Sequence, residues 1–480
     1  MKILKVGLAG SMQLNFGGGA GGGRDRIYAR SAEKVRELAG ELGFDCYIHP
    51  ELLLTGEDAV KARDAFEREG VDFALLQITT FSAGEVVINL AGVNAAFGLW
   101  ALPEASMEDT IFVNSLNSFC GINMFSSIIS NYMSDIKYKW FYGEPDDEMF
   151  RKRLEVTVRA LTAIKNLRSS KVALVGGIAP GFNDLYFDER LGQKRLGLQI
   201  ERGHEFSEIR KRAESYSQSD IEKSMAEAAT TDCFDVSAAS ARNLDTHVRY
   251  YRAYKDFSAD YNYSALAVSC WPQMADTTEA YSCSVLSKLN QNGVVAACEG
   301  DLPGAVSMLL QKYVIDAPTT LMDLSGLDES DQTVLMWHCG PSPECYADSG
   351  GACLQYCRQP APGGKENVTG MITNMLFKPQ HVTFMRITGE WDKIFLLDGK
   401  IIDRRKDSPQ GSRGWVEELR LNRKSIRVRN LVNTILVQGM QHHYPMAAGD
   451  ITEELMEAAA WLGLKPVEEI GYENYLQLKP

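Results

Sequence analysis

Apolar, strand-like runs alternate with helical segments along the first 170 residues of this 480-residue chain. Residues 4–9 and 72–79 have the apolar character of buried strands, and a further strand is expected at 111–115. Residues 29–42 carry apolar side chains at helical spacing, and 149–164 predicts another helix. Because strands that alternate with helices pair in a mostly parallel sheet, this segment is predicted to be an α/β domain.

The same alternation starts again at residues 171–176. The predicted strands that follow are 265–270, 294–298, 319–323 and 334–338, and the predicted helices are 220–229, 283–290 and 304–313. The pattern then changes, because three strands follow one another at 382–388, 392–397 and 400–403. An Asp398-Gly399 pair predicts a hairpin turn between the last two, and a final helix is predicted at 451–462.

These patterns predict an α/β protein with two Rossmann-like α/β domains followed by a β-rich C-terminal domain. The chain is too long for a single hydrophobic core. The predicted boundaries are 1–168, 169–348 and 349–480.

The charge balance argues against a general nucleic-acid partner. Asp and Glu number 63 against 50 Lys and Arg, and the net charge of −13 repels phosphate backbones. No apolar run reaches the roughly 20 residues of a spanning helix, and residues 1–7 open as a strand with no signal peptide before them. We therefore expect a cytoplasmic protein with no membrane partner.

The ten cysteines lack the spacing of a disulfide framework, so reduced thiols are expected. The less favoured alternative is a structural zinc site in the C-terminal half, although its cysteines lack the pairing of a zinc ribbon. The cysteines of that alternative are Cys339, Cys345, Cys353 and Cys357.

Metal-competent side chains stand at the ends of predicted strands, which is where open α/β sheets bind ligands. Glu299 and Asp301 follow one strand, Asp323 ends another and His338 ends a third. Each residue also has an ordinary interpretation: a helix cap or exposed group for an acidic residue, and a packed core residue for His338. The pattern alone predicts only a mixed carboxylate–imidazole metal site.

The adjacent pair His442 and His443 lies between predicted helices and is interpreted as a loop, either solvated or ligand-bearing. One geometric obstacle concerns Asp323 and His338. Their two strands are expected to pair antiparallel, which places the two residues some positions apart along the ladder. They reach one ion only if the hairpin bends.

Residues 16–24 read FGGGAGGGR, between the first strand and the first helix. The segment lacks the lysine of a Walker loop. Two interpretations stay open: a flexible loop that closes, or a nest of backbone N–H groups that binds an anionic substituent together with Arg24.

Several of these residues match a known family. Residues 297–305 read ACEGDLPGA, and Asp323 and the run 337–340, WHCG, follow at the family's spacing. Supporting matches are 177–182 (GIAPGF), Cys270-Trp271-Pro272 and the late histidine pair. The chain resembles the L-fucose and L-arabinose isomerase family, in its shorter, fucose-isomerase-like bacterial branch. The first 170 residues match only in overall pattern.

The resemblance implies a metal site whose ligands fall on Glu299, Asp323 and His443. His338 corresponds to a further ligand of the arabinose isomerases, which the fucose isomerases lack. The family typically uses Mn²⁺, and oxygen-rich ligands with one imidazole suit Mn²⁺, although Mg²⁺ or Co²⁺ fits the same residues. It also implies two α/β domains before a β-rich domain, and relatives that assemble as hexamers.

The implied reaction is aldose–ketose isomerisation of a hexose, or of a deoxy- or sulfohexose, through a cis-enediol. A proton leaves one carbon and returns to its neighbour, so the enediolate needs a Lewis acid and the proton needs a base. Glu299 and Asp323 are expected to be both ligands and bases. Trp271, His338 and His442 are the expected substrate-binding residues, and packing in the core stays open as the alternative for Trp271.

Residues 16–24 depart from the ordinary fucose isomerase pattern, and Arg24 suits a C6 sulfonate, as in the sulfoquinovose isomerases that resemble this branch. L-Fucose-like and sulfoquinovose-like substrates both stay open. The alternative functions are a sugar- or anion-binding protein without turnover, and a metal-dependent sugar lyase.

Overall fold

The computed structural model describes residues 1–14, 16, 23–104, 116–229, 234–237, 239–356, 370–403 and 408–478. The chain forms two compact units, Met1–Lys165 and Asn166–Pro480. The boundaries predicted at residues 168 and 348 stay predictions. Every helix within the described ranges is too short or too polar to cross a membrane.

The first unit is a parallel sheet with strand order β2-β1-β3-β4-β5. Its strands are β1 Lys5–Ser11, β2 Asp45–Ile48, β3 Phe73–Ile78, β4 Ala96–Ala101 and β5 Tyr138–Tyr142. Its helices are α1 Gly23–Leu42, α2 Gly56–Glu69, α3 Gly84–Leu90, α4 Ser118–Tyr132 and α5 Glu148–Leu167, the last of which runs into the second unit. Strand β3 is buried at every position, as expected for a central parallel strand.

The α/β character predicted for this unit is confirmed. Helices α1 and α5 also lie where the apolar spacing placed them. The predicted strand at 111–115 and most of the glycine-rich segment, 17–22, lie outside the described residues.

The second unit begins with another parallel sheet, of order β10-β9-β6-β7. The strands of the second unit that precede Thr320 are β6 Lys171–Val175, β7 Gln199–His204, β8 Phe234–Asp235, β9 Ala265–Val268 and β10 Val295–Ala297. The helices are α6 Glu189–Leu196, α7 Phe206–Ser215, α8 Gln218–Ala229, α9 Ala241–Tyr261, α10 Ala275–Thr278, α11 Cys283–Gln291 and α12 Leu302–Ile315.

Within the described residues, the strands from Thr320 onward form a mostly antiparallel sheet that closes into a barrel. The strands are β11 Thr320–Asp328, β12 Thr333–His338, β13 Ala352–Tyr356, β14 Met371–Leu376, β15 His381–Ile387, β16 Lys393–Ile401, β17 Ser412–Leu421, β18 Lys424–Ser425, β19 His443–Ala448 and β20 Lys465–Pro466, with helices α13 Val428–Gln438 and α14 Thr452–Leu462. The ring β16-β15-β19-β11-β12-β17 closes because β17 pairs back with β16. The predicted fold class, two parallel α/β sheets before a β-rich domain, is confirmed.

Helix α12 joins the second parallel sheet to the barrel. It packs against β6, β9 and β10 on one side and against β15 and β19 on the other. Its residues 302–311 are all buried, which requires apolar neighbours on every side. The carboxyl end of β10 and the start of β19 are thereby held near each other.

The predicted turn at Asp398-Gly399 is wrong, because both residues lie inside the continuous strand β16. Asp398 is fully buried, and its carboxylate accepts hydrogen bonds from Arg420 Nε at 2.6 Å and from Thr452 Oγ1 at 3.3 Å. A Cβ at Gly399 would lie 2.7 Å from the Glu417 carbonyl oxygen, where the register with β17 shifts. Instead of a turn, Gly399 therefore lies at a bulge and Asp398 forms a buried ion pair.

Replacing Asp398 with Asn should destabilise the second unit by about 2 kcal/mol, because it removes the charge that Arg420 faces while keeping the side-chain size. Chemical denaturation measures the loss. The exposed Asp403→Asn variant is the matched control and should unfold like the parent. Equal stability of the two variants would contradict the role given to Asp398.

Candidate metal centre

Glu299 lies on a constrained turn directly after β10. Its φ is +61°, a left-handed conformation that non-glycine residues rarely adopt. The turn is held because Glu299 accepts a hydrogen bond from the Ala179 N–H at 3.0 Å. The next residue must be glycine, since a Cβ at Gly300 would lie 2.2 Å from the Gly177 carbonyl oxygen. Such strain is found where a side chain has to be aimed at one point.

Asp323 and His443 are directly opposite each other on the antiparallel pair β11 and β19. Side chains of directly paired residues lie on the same face of a sheet. His443 is the first residue of β19, so the predicted loop between the last two helices contains a strand, and that part of the loop interpretation is wrong. Asp323 also pairs with Trp337, one residue before His338.

The imidazole of His443 is oriented from behind by a buried ion pair. Its Nδ1 is 2.9 Å from Asp301 Oδ2, and the Arg386 guanidinium donates to the same carboxylate oxygen. Asp301 and Arg386 are both completely buried. Asp301 also accepts from the Gly304 N–H, so it caps α12 as the sequence indicated. Because these contacts hold the Nδ1 side of the ring, Nε2 of His443 is directed toward the candidate metal centre.

Two carboxylate oxygens and one further ring nitrogen lie within 3.6 Å of His443 Nε2. From His443 Nε2, Glu299 Oε2 lies at 3.3 Å, His338 Nε2 at 3.4 Å and Asp323 Oδ1 at 3.6 Å. Asp323 Oδ1 is buried without a hydrogen-bond partner. Ligands at about 2.1 Å around an octahedral cation lie about 3 Å apart. The donor set and the orphaned oxygen therefore fit a divalent cation.

The charges of this cluster depend on one another. Burial alone would raise the pKa of Glu299, but hydrogen bonds with His442 and His443 outweigh it and hold the pKa well below its usual range. Burial would lower the pKa of His443, but Asp301 and Glu299 outweigh it and raise the pKa to about 10. Without a cation, the proton on Nε2 of His443 therefore neutralises part of the carboxylate charge.

At Nε2, His338 presents a hydrogen-bond donor to the candidate metal centre instead of a lone pair. The Cys339 N–H donates to His338 Nδ1 at 2.8 Å, so the proton of the neutral ring is on Nε2. A ligand would need the other tautomer. The structure brings His338 to within 3.4 Å of His443, so the obstacle expected from the hairpin does not keep it from the centre.

His442 lies at the more exposed edge of the cluster. Its Nδ1 is 2.7 Å from Asp184 Oδ2, and its Nε2 is 3.3 Å from Glu299 Oε2. Burial would lower the pKa of His442, but Glu299 and Asp184 outweigh it and raise the pKa. The ring of Phe182 packs on His442 at 5.5 Å and on Trp271 at 6.4 Å between centroids. The buried Nε1 of Trp271 has no hydrogen-bond partner.

Arg24 lies in the first turn of α1, in the first unit. Its Nη1 donates to the carbonyl oxygens of Leu14 at 2.9 Å, Gln13 at 3.3 Å and Phe16 at 3.4 Å. The guanidinium therefore binds the backbone at the start of the glycine-rich segment.

The structure thus brings five of the six site residues predicted in the second unit into one cluster, namely Glu299, Asp323, His338, His442 and His443. The sixth, Trp271, is linked to His442 through the ring of Phe182. Sequence reasoning missed Asp184 and Arg386. Arg386 had a signal, because a lone arginine in the apolar strand FMRI needs a buried carboxylate partner. Asp184 had no comparable signal.

No family model matches the chain. A sulfoquinovose isomerase of Priestia megaterium is 24% identical over 460 residues, covering 92% of this chain and 96% of the relative. One of Clostridium sp. is 26% identical over 404 residues, covering 79% and 85%. One of Alkalicoccus urumqiensis is 24% identical over 433 residues, covering 87% and 91%.

The chain is a distant homologue of sulfoquinovose isomerases. The homology covers 92% of this chain. It supports an isomerase that acts on a sugar, in agreement with the family resemblance of the sequence.

The affinity of the centre for Mn²⁺ should rise with pH. Below about pH 10 the metal-free His443 carries a proton on Nε2, which a bound cation has to displace, so affinity should rise about tenfold per pH unit from 6.5 to 8.5. Calorimetric titration in buffers of different ionisation enthalpy measures both the affinity and the proton released. His443→Asn should remove the slope and His204→Asn should keep it; a slope of zero in the parent would refute the assignment.

Proposed function

We propose that this protein is a metal-dependent aldose–ketose isomerase that converts sulfoquinovose, a hexose with a C6 sulfonate, to its 2-keto isomer. One observation carries the proposal. Carboxylate oxygens of Glu299 and Asp323, which are far from His443 in the sequence, lie close to its Nε2, and the oxygen of Asp323 has no hydrogen-bond partner. The homologues named sulfoquinovose isomerase support the substrate class.

In this proposal Glu299, Asp323 and His443 hold the cation, with Mn²⁺ preferred over Mg²⁺ or Co²⁺ because the donors combine carboxylate oxygens with an imidazole. The cation supplies Lewis-acid stabilisation of the charge that develops on the sugar. Asp301 and Arg386 keep the His443 ring in place, so that Nε2 stays directed at the centre.

Glu299 and Asp323 are also the proposed proton carriers between C1 and C2. Glu299 is ionised in the cluster, because hydrogen bonds with His442 and His443 outweigh burial and hold its pKa below the usual range. Positioned carboxylates contribute roughly 10²–10⁴-fold each in such reactions. His338 directs its Nε2–H toward the centre and Trp271 has a buried indole N–H, so both are proposed to donate hydrogen bonds to sugar hydroxyls.

His442 is proposed to bind substrate at the open edge of the site. Asp184 accepts from its Nδ1 and from its backbone N–H at 3.1 Å, which fixes the ring. The side chain of His442 is 36% exposed, so a sugar reaches it before it reaches His443, which is 1% exposed. Asp184 is thereby a positioning residue.

The assembly and its location belong to the same proposal. We propose a homo-oligomer, a hexamer by the family resemblance, that works in the cytoplasm.

Glu299→Gln keeps the size of the side chain but removes the base. With Mn²⁺ restored after chelation, we expect the isomerisation rate to fall by about 10²–10⁴-fold. NMR in D2O follows both the ketose formed and the exchange at C2. The exposed Glu329→Gln variant should turn over like the parent. Parental turnover by Glu299→Gln, or a cleaved product instead of an isomer, would disprove the proposal.

Arg24→Ala tests the anionic part of the substrate. A charge-assisted hydrogen bond is worth about 1.5–3 kcal/mol, so kcat/KM for sulfoquinovose should fall by about 10–150-fold while neutral hexoses lose little. Arg26→Ala, in the same turn of α1, is the control and should affect both sugars alike. Equal losses on both sugars with Arg24→Ala would remove the sulfonate assignment but leave the isomerase proposal intact.

A further inference from the structure

Four cysteines from four separate segments meet behind the carboxylate–imidazole centre. Cys270 follows β9, Cys283 begins α11, Cys298 follows β10 and Cys339 follows β12. The first three are buried and Cys339 is partly buried. The sequence-based alternative grouped Cys339 with Cys345 and two later cysteines, but Cys345 is exposed and Cys339 lies in this thiol cluster.

The sulfur atoms form two close pairs. Sγ of Cys270 is 2.7 Å from Sγ of Cys298, and Sγ of Cys283 is 3.5 Å from Sγ of Cys339. Cys298, Cys339 and His338 have ligand atoms within 4.8 Å of one another. Cys298 belongs to the first pair and Cys339 to the second, so the two pairs adjoin each other.

The separations within the two pairs are near those of a tetrahedral sulfur site. Sulfurs bound to Zn²⁺ at about 2.3 Å lie about 3.8 Å apart, so the two pairs need to open by about 1 Å and 0.3 Å. The surroundings include Ala275, Tyr281 and Ile372, which pack around Cys283. A buried cysteine usually behaves as a small apolar residue, but two adjoining pairs of sulfurs, each sulfur from a different segment, provide the soft donor set that selects Zn²⁺.

We propose that Cys270, Cys283, Cys298 and Cys339 form a structural thiolate site for Zn²⁺, distinct from the carboxylate–imidazole centre. Binding of Zn²⁺ releases the thiol protons to the buffer and fixes the four segments that carry the cysteines. Three of these cysteines are sequence neighbours of proposed site residues, since Cys270 precedes Trp271, Cys298 precedes Glu299 and Cys339 follows His338. The zinc site therefore positions those residues. The inference does not rest on the proposed isomerase activity.

The test measures metal content and a spectrum that only sulfur ligands produce. Protein purified under reducing conditions should retain about one zinc per chain after mild chelation that strips Mn²⁺, and Co²⁺ in its place should give an intense thiolate-to-cobalt charge-transfer band. Asp323→Asn disrupts only the carboxylate–imidazole centre and should keep both signals. Cys283→Ser should lose both, and the exposed Cys345→Ser should lose neither.

Several outcomes would overturn the proposal. They are a parent protein without zinc and without the cobalt band, zinc that leaves with Asp323→Asn but stays with Cys283→Ser, and a Cys270–Cys298 disulfide found by mass analysis of the parent under non-reducing conditions. The cobalt spectrum of the parent decides the question even if Cys283→Ser does not fold.

Discussion

The ion pair between Asp301 and Arg386 is the interaction on which the site depends. Both side chains are completely buried, and the carboxylate binds the guanidinium, the His443 ring and the first turn of α12 at once. Removing one member of a buried pair typically costs about 3–5 kcal/mol, because the other is left as an uncompensated charge. The pair thus joins the helix after β10 to strands β15 and β19, and the direction of His443 Nε2 follows from it.

The charges around this pair suit the cluster to a divalent cation. Glu299, Asp301 and Asp323 face Arg386 and His443 in a region that excludes most water. Once His443 has given up its Nε2 proton, three carboxylates oppose one guanidinium, and the two remaining negative charges match a divalent cation. Unbalanced charges are costly at this depth. The same residues that make the cluster hold a proton therefore also suit it to a doubly charged ion.

Sequence patterns predicted the parts of the fold that depend on local chemistry. The alternation of strands and helices gave the two parallel sheets, and strand-end positions with the family resemblance gave Glu299, Asp323 and His443. The patterns failed where distant contacts decide. Asp398 is followed by a glycine, which is typical of a turn. In the structure it is instead a buried residue that accepts hydrogen bonds from Arg420 and Thr452. Asp184 acts on His442 across 258 residues, which no local pattern reveals.

Exposure increases in one direction across the site. The side chain of His443 is 1% exposed, Glu299 16%, His442 36% and Asp184 43%, so the cluster opens on the side of Asp184. The thiol cluster adjoins it through His338, whose Nδ1 lies 3.1 Å from the sulfur of Cys339 while its Nε2 faces His443. A polar substrate can approach only where the polar groups meet water. The thiols are consequently suited to a structural role beneath the site. The carboxylates and imidazoles are on the side from which a substrate can approach.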